Sequence, residues 1–199
     1  MKQMRIIKTE EDNTNFILHL EDERKLTVSK ETYFKYSLYE LSTLSEAMLK
    51  EFQYKNDLIN CEFIARKHLL GKIKSSNQLK LFLLNKNFSE EVIINIITKL
   101  MSENILDDVK YAKKLIKRKL KGNKISSNML ISILINEGIS EKLSTELVDK
   151  EKISNYDNAK TIINQRYKGK INEREKIYRY LLSKGFEPEV ILEVLGKEI

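Results

Sequence analysis

One turn recurs three times along this chain, and it restricts the fold more than any other feature. Leu83-Leu84-Asn85-Lys86-Asn87-Phe88-Ser89-Glu90 has the same frame as Leu134-Ile135-Asn136-Glu137-Gly138-Ile139-Ser140-Glu141. Leu181-Leu182-Ser183-Lys184-Gly185-Phe186-Glu187-Pro188 repeats it again. Asn87, Gly138 and Gly185 stand 51 and 47 residues apart. Each occupies the position where a left-handed residue closes a helix, which Gly and Asn tolerate best. The apolar residue that follows (Phe88, Ile139 or Phe186) folds back onto the last helical turn. Ser89 and Ser140 then cap a new helix, and Pro188 sits in a first turn, where its missing N–H costs little.

Upstream, Ser75-Ser76-Asn77-Gln78-Leu79 matches Ser126-Ser127-Asn128-Met129-Leu130. Downstream, apolar residues return at one-face helical spacing: Val92, Ile93, Ile96 and Ile97, then Leu143, Leu147 and Val148, then Val190, Ile191, Val194 and Leu195. The predicted helices of the first unit are 57–70, 75–86 and 89–101. Those of the second are 108–121, 126–137 and 140–150, and those of the third 155–167, 172–184 and 187–197. The expected fold class is mainly α: three tandem three-helix repeats forming an elongated array. One Pro and six Gly in 199 residues agree with helices rather than a turn-rich β fold.

The first thirty residues read differently. Short apolar runs at Ile6-Ile7, Phe16 to Leu20 and Leu26 to Val28 are separated by polar turn material. They predict a small N-terminal β meander of two or three strands, braced by a helix. A short helix opens at Ser29-Lys30-Glu31 and ends near Tyr36 to Tyr39. Thr43 and Glu46 have capping-box spacing, and a helix follows to about Leu70, with a break at Tyr54 to Asp57 left open. The expected domains are 1–42 (strands plus helix), 43–102 (linking helix and repeat 1), 103–151 (repeat 2) and 152–199 (repeat 3).

Chemistry is sparse. The two histidines, His19 and His68, have no recognisable catalytic or metal-binding company. Cys61, the single cysteine, lies among Ile59, Phe63 and Ile64, reads as a buried thiol, and permits no intramolecular disulfide. The glycines form no phosphate-cradling loop. Asp107-Asp108 is the conspicuous carboxylate pair; a metal pair and a helix cap are both open, and its place ahead of Val109 favours the cap. No catalytic residue, metal or cofactor is expected, so the chain reads as a binding protein and not an enzyme. No apolar run has the length of a membrane span or signal peptide, and a soluble, cytoplasmic monomer is expected.

The positive feature is charge. The formal net charge is +7. Lys, Asn and Ile are heavily used, as in an AT-rich coding sequence, which raises Lys without functional cause. The distribution carries more. From Val109 to Asn136 there is no Asp or Glu, while Lys110, Lys113, Lys114, Lys117, Arg118, Lys119, Lys121 and Lys124 all fall there. Spacings of three and four place much of this charge on one side of a helix. A second cluster holds Arg166, Lys168, Lys170, Arg174, Lys176 and Arg179, with Tyr167, Tyr178 and Tyr180 interleaved and Glu173 and Glu175 among them. Such surfaces suit phosphates or acidic protein faces; a solvated lysine-rich face is the plain alternative.

Ile105-Leu106-Asp107-Asp108-Val109-Lys110-Tyr111-Ala112 resembles the leucine, aspartate pair, aromatic, alanine signature of the RecX family, regulators of the bacterial RecA recombinase. The basic segment from Lys113 to Lys124 follows it, as in that family. Lys184-Gly185-Phe186 with Val190-Ile191 resembles the family's repeated turn, although Asn87 stands where the family usually has Gly. The resemblance implies three tandem three-helix repeats that bind the helical groove of the RecA–DNA filament and inhibit ATP hydrolysis and strand exchange. The expected contacts to recombinase or DNA are Lys110, Lys113, Lys114, Lys117, Arg118, Lys121, Lys124, Arg166, Lys168 and Arg174. Direct binding of single- or double-stranded DNA through the basic helices is the competing reading.

Overall fold

The computed structural model describes residues 3–122, 124–167 and 173–196. It divides into two compact units. One runs to Lys72 and includes Leu79–Ile105; the other comprises Ile73–Gln78 and the chain from Leu106 onward.

The first unit opens with strands β1 (Gln3–Glu11), β2 (Asn15–Leu20) and β3 (Lys25–Ser29). Helix α1 (Lys30–Lys35) follows, then a 3-10 turn (Leu38–Glu40), β4 (Thr43–Ser45) and the long helix α2 (Glu46–Leu69). The strands form one antiparallel sheet in the order β3-β2-β1-β4. Phe16, Leu18 and Leu20 of β2 and Leu26 and Val28 of β3 alternate inward, as the period of a strand requires. With Met4, Leu44, Leu38, Tyr33 and Phe52 of α2 they make one core. Asn56 of α2 ties α1 to the sheet end: its Oδ1 accepts from the Ser29 N–H at 2.8 Å and the Thr32 hydroxyl at 3.2 Å.

Two details depart from the sequence reading, and one point left open is decided. The sheet has a fourth strand: Leu44 pairs with Met4 and buries completely. Because Thr43 lies in that strand, it does not cap α2; Ser45 does, its Oγ accepting from the Met48 N–H at 3.2 Å. Helix α2 is also continuous through Tyr54 to Asp57. Past it, Gly71 takes φ +68°. Helices α3 (Ser76–Leu84) and α4 (Glu90–Ser102) follow. Glu62 of α2 accepts from Arg66 at 2.7 Å and from Lys99 of α4 at 2.7 Å.

The second unit holds the start of α3 with α5 (Asp108–Gly122), α6 (Ser127–Asn136), α7 (Glu141–Asp149), α8 (Asn155–Arg166), α9 (Arg174–Ser183) and α10 (Pro188–Leu195). The recurring turn is realised as expected from its residues. Asn87, Gly138 and Gly185 have φ of +64°, +86° and +77°. In each copy the next residue's N–H reaches back five residues: Phe88 to the Leu83 carbonyl, Ile139 to Leu134, Phe186 to Leu181. The positive-φ residue itself bonds three residues back, completing the double closure that satisfies the last carbonyls of a helix.

The repeated Ser-Ser segment makes a second recurring set of contacts, whose partners the sequence did not show. Ser75 Oγ accepts from the Gln78 N–H and donates to the Glu137 carbonyl at 3.0 Å; Ser126 Oγ accepts from Met129 and donates to the Lys184 carbonyl at 2.7 Å. Next to them, the Ser76 N–H and hydroxyl both bond the Asp108 carboxylate, and those of Ser127 both bond the Asn155 side chain. Each Ser-Ser pair thus starts one helix while holding the start and the end of two later ones. Ser75 and Ser126 are fully buried, which is tolerable because both are hydrogen-bonded.

Candidate anion-binding surface

Helix α5 forms because its apolar residues come in pairs one turn apart. Tyr111, Ala112, Leu115 and Ile116 bury, together with Ile125, Leu130, Leu134 and Val148 of the following chain. Apart from Asp108, Val109, Leu120 and Gly122, cations fill the remaining positions. The Asp pair ahead of it divides two structural tasks. Asp107 Oδ1 caps the helix by accepting from the Lys110 N–H at 2.9 Å, and Asp108 holds Ser76 as described. Among the described residues no group of three or more His, Cys, Asp or Glu is placed to hold a metal.

Under α5 lies a polar node. Tyr111 donates to Glu137 Oε2 at 2.8 Å, and Gln78 donates both to that oxygen, at 2.7 Å, and to the Tyr111 hydroxyl, at 2.9 Å. Burial, reinforced by the Glu137 carboxylate, pushes the Tyr111 phenol up to about 12.

The expected contact residues fall into different places. Lys110, Lys113, Lys114 and Lys117 line one open groove of about 490 Å³ with Ile73, Asp107 and Val109. Arg118 and Lys121 are exposed on the same helix. Lys119 is two residues beyond Lys117, about 200° around a helix. It turns to a second groove of about 630 Å³ with Lys124, Arg166 and Lys184. Lys124 and Arg166, from the two sequence clusters, therefore meet. Arg166 lies 4.4 Å over the Tyr180 ring, with its Nη1 3.3 Å from the Tyr180 hydroxyl, and Lys184 Nζ is 5.5 Å from the same ring.

The rest of the second cluster is otherwise engaged. Arg174 donates to the Leu195 carbonyl at 2.7 Å, at the end of α10. Lys176 pairs with Glu173 at 2.9 Å, and Arg179 pairs with Glu175. Lys168 and Lys170 lie outside the described residues. Lys119, Lys184 and Tyr180 were not among the expected contacts. Lys119 and Tyr180 lie within the two basic clusters of the sequence, but nothing there joins them to Lys184, since the groove assembles residues more than 60 positions apart.

The remaining chemistry-bearing residues are structural. Cys61 is buried, and burial raises its thiol to about 11. His19 Nε2 sits 3.0 Å from Glu10 Oε2 in the sheet, and His68 stacks on Phe82 at 3.7 Å between ring centres. No helix among the described residues is long and apolar enough to cross a membrane.

Residues 155–195 match the family "RecX, third three-helix domain". A stretch of 109 residues is 28% identical to "Regulatory protein RecX" of Streptococcus sanguinis (strain SK36), covering 55% of this chain and 42% of that protein. Another of 114 residues is 30% identical to the protein of the same name from Clostridium botulinum (strain Alaska E43 / Type E3), covering 56% and 54%. These matches span about half the length of the relatives. The crystal structure of a regulatory protein RecX superposes with a TM-score of 0.68 at 16% identity, over 98% of this chain and 100% of the other. RecX from Lactobacillus salivarius gives 0.60 at 20% identity, over 71% and 96%. At those identities the structural matches speak for the fold. By sequence over residues 155–195 and over stretches of more than 100 residues, and by fold over nearly its whole length, the chain resembles the RecX family of regulatory proteins.

Proposed function

We propose that this chain is a negative regulator of recombination that binds the RecA–DNA filament and inhibits RecA ATP hydrolysis and strand exchange without catalysing a reaction itself. We read its helices as three tandem three-helix units, divided near 102/103 and 151/152. The recurring turns and serine latches support that reading. The observation that carries the functional proposal is the outer side of α5. There Lys110, Lys113, Lys114 and Lys117 line a groove whose single acid among the described residues, Asp107, has an oxygen engaged by the helix N-terminus. A row of ammonium groups with no ion-pair partner among the described residues suits an acidic protein face or a run of phosphates, and charge complementarity of this kind speeds encounter.

The test is RecA-dependent ATPase on single-stranded DNA in the presence of Lys117→Glu/Arg118→Glu. Both residues are exposed, so the variant is expected to keep its melting temperature within a few degrees. Inhibition should weaken by roughly tenfold or more in concentration terms, as expected for losing close charge pairs across an interface. Inhibition equal to that of the unaltered chain removes the α5 face from the proposal.

A further inference from the structure

The second groove calls for a different ligand chemistry from the α5 face. Among the described residues its lining has four cations, Lys119, Lys124, Arg166 and Lys184, and no carboxylate. Its floor is aliphatic, formed by Ile125, Met129, Ile133 and Ile162. One wall is the Arg166 guanidinium over the Tyr180 ring, 4.4 Å from its centre. At about 630 Å³ it falls within the size range of ligand sites, about 300–1,000 Å³.

We infer that this groove binds an unpaired nucleic-acid strand, with phosphates on the cationic rim and bases against the guanidinium–tyrosine wall and the aliphatic floor. Three features favour this occupant. The uniform positive rim matches a backbone that carries one charge per nucleotide. The guanidinium–tyrosine wall and apolar floor offer stacking and burial that only splayed bases can use. A duplex keeps its bases inside and has nothing to place in a concave apolar floor. An acidic peptide would meet the rim but does not carry a planar base with each charged unit. Lys119 belongs to α5 but faces away from the Lys110–Lys117 side, so α5 separates two basic surfaces. The site is independent of any recombinase.

The experiment is fluorescence anisotropy of a labelled oligothymidylate titrated with the full-length chain, without recombinase, at several salt concentrations. The expected result is binding that weakens steeply with salt. Lys124→Glu/Lys184→Glu should lower affinity by about tenfold or more and flatten the log–log salt slope by about 1.4. The neutral pair Lys124→Gln/Lys184→Gln should show the same direction, and circular dichroism checks the fold of both. Lys113→Glu/Lys114→Glu, on the other side of α5, should change affinity several-fold less than the groove pair. Inorganic polyphosphate, an acidic peptide and a duplex of matched charge should each bind more weakly than the single strand. The inference is overturned by absence of binding at low salt, by groove variants that bind as the parent does, or by polyphosphate, peptide or duplex competing as well as the strand.

Discussion

Gly138 shows how much a single position is asked to do. Its φ of +86° excludes ordinary side chains, and a Cβ there would lie 2.3 Å from the Cβ of Asn77. Gly185 has the same double demand, with Ser126 Oγ at 2.8 Å from the added carbon. At Asn87 only the backbone sign is needed, and the residue there carries a Cβ already. The family resemblance makes Asn87 look like a departure, and the geometry gives it a reason. Gly71, at φ +68°, has nothing within 4 Å. Gly71→Ala should therefore cost about 1–2 kcal/mol from left-handed strain alone, while Gly138→Ala should cost clearly more. Urea denaturation of the two variants measures the difference; equal midpoints would mean that Asn77 yields freely.

Tyr111 gives a residue-scale prediction with a sign. Its phenol rises from an ordinary 10.0 to about 12 in the folded chain. A group whose folded value is raised contributes stability that is complete below about pH 10 and lost as pH climbs toward 12. Tyr111→Phe should lower stability at neutral pH by about 1–2 kcal/mol through the lost hydrogen bonds. The gap between parent and variant should then close between pH 10 and 12 in thermal melts. A gap that stays constant over that range would show that the phenol does not titrate with folding.

At the scale of elements, helices were legible in the sequence where a closing residue, a fold-back residue and a cap occur together, as in 134–141. Three local signals agree there, and chance rarely aligns them. Strand β4 was not legible, because a three-residue strand with one apolar residue, Leu44, has no period to detect. The capping serine was misplaced for a related reason: Thr43 and Ser45 both fit a cap, and only the sheet decides between them. The far end of β1 was equally silent, since Lys8 to Glu11 bury little and are held by pairing with β2. The Ser-Ser latches were also hidden, because their partners lie in other helices. Asp108→Ala would leave the Ser76 N–H and hydroxyl without their acceptor, at about 1–3 kcal/mol. Lys113→Ala, on the exposed side of the same helix, should stay within about 0.5 kcal/mol. Chemical denaturation of the two checks whether the aspartate is a latch or an idle surface acid.

At the scale of the molecule, charge is organised by burial. The apolar pairs of α5 turn inward, and the cations left outside separate into two surfaces. One gathers Lys110, Lys113, Lys114 and Lys117; the other joins Lys119 and Lys124 to Arg166 and Lys184. Sequence spacing anticipated the first, because it lies on one helix. It missed the second as a unit, because helices distant in sequence build it. It also counted Arg174 with the binding residues, whereas its guanidinium bonds the carbonyl end of α10. The proposed function makes the RecA–DNA filament the partner of these surfaces. RecA-dependent ATP hydrolysis on single-stranded DNA, measured with increasing amounts of this chain, addresses that directly. Hydrolysis should fall with added chain and approach a low plateau. A rate that stays unchanged at a several-fold excess of the chain over RecA would contradict the proposed function.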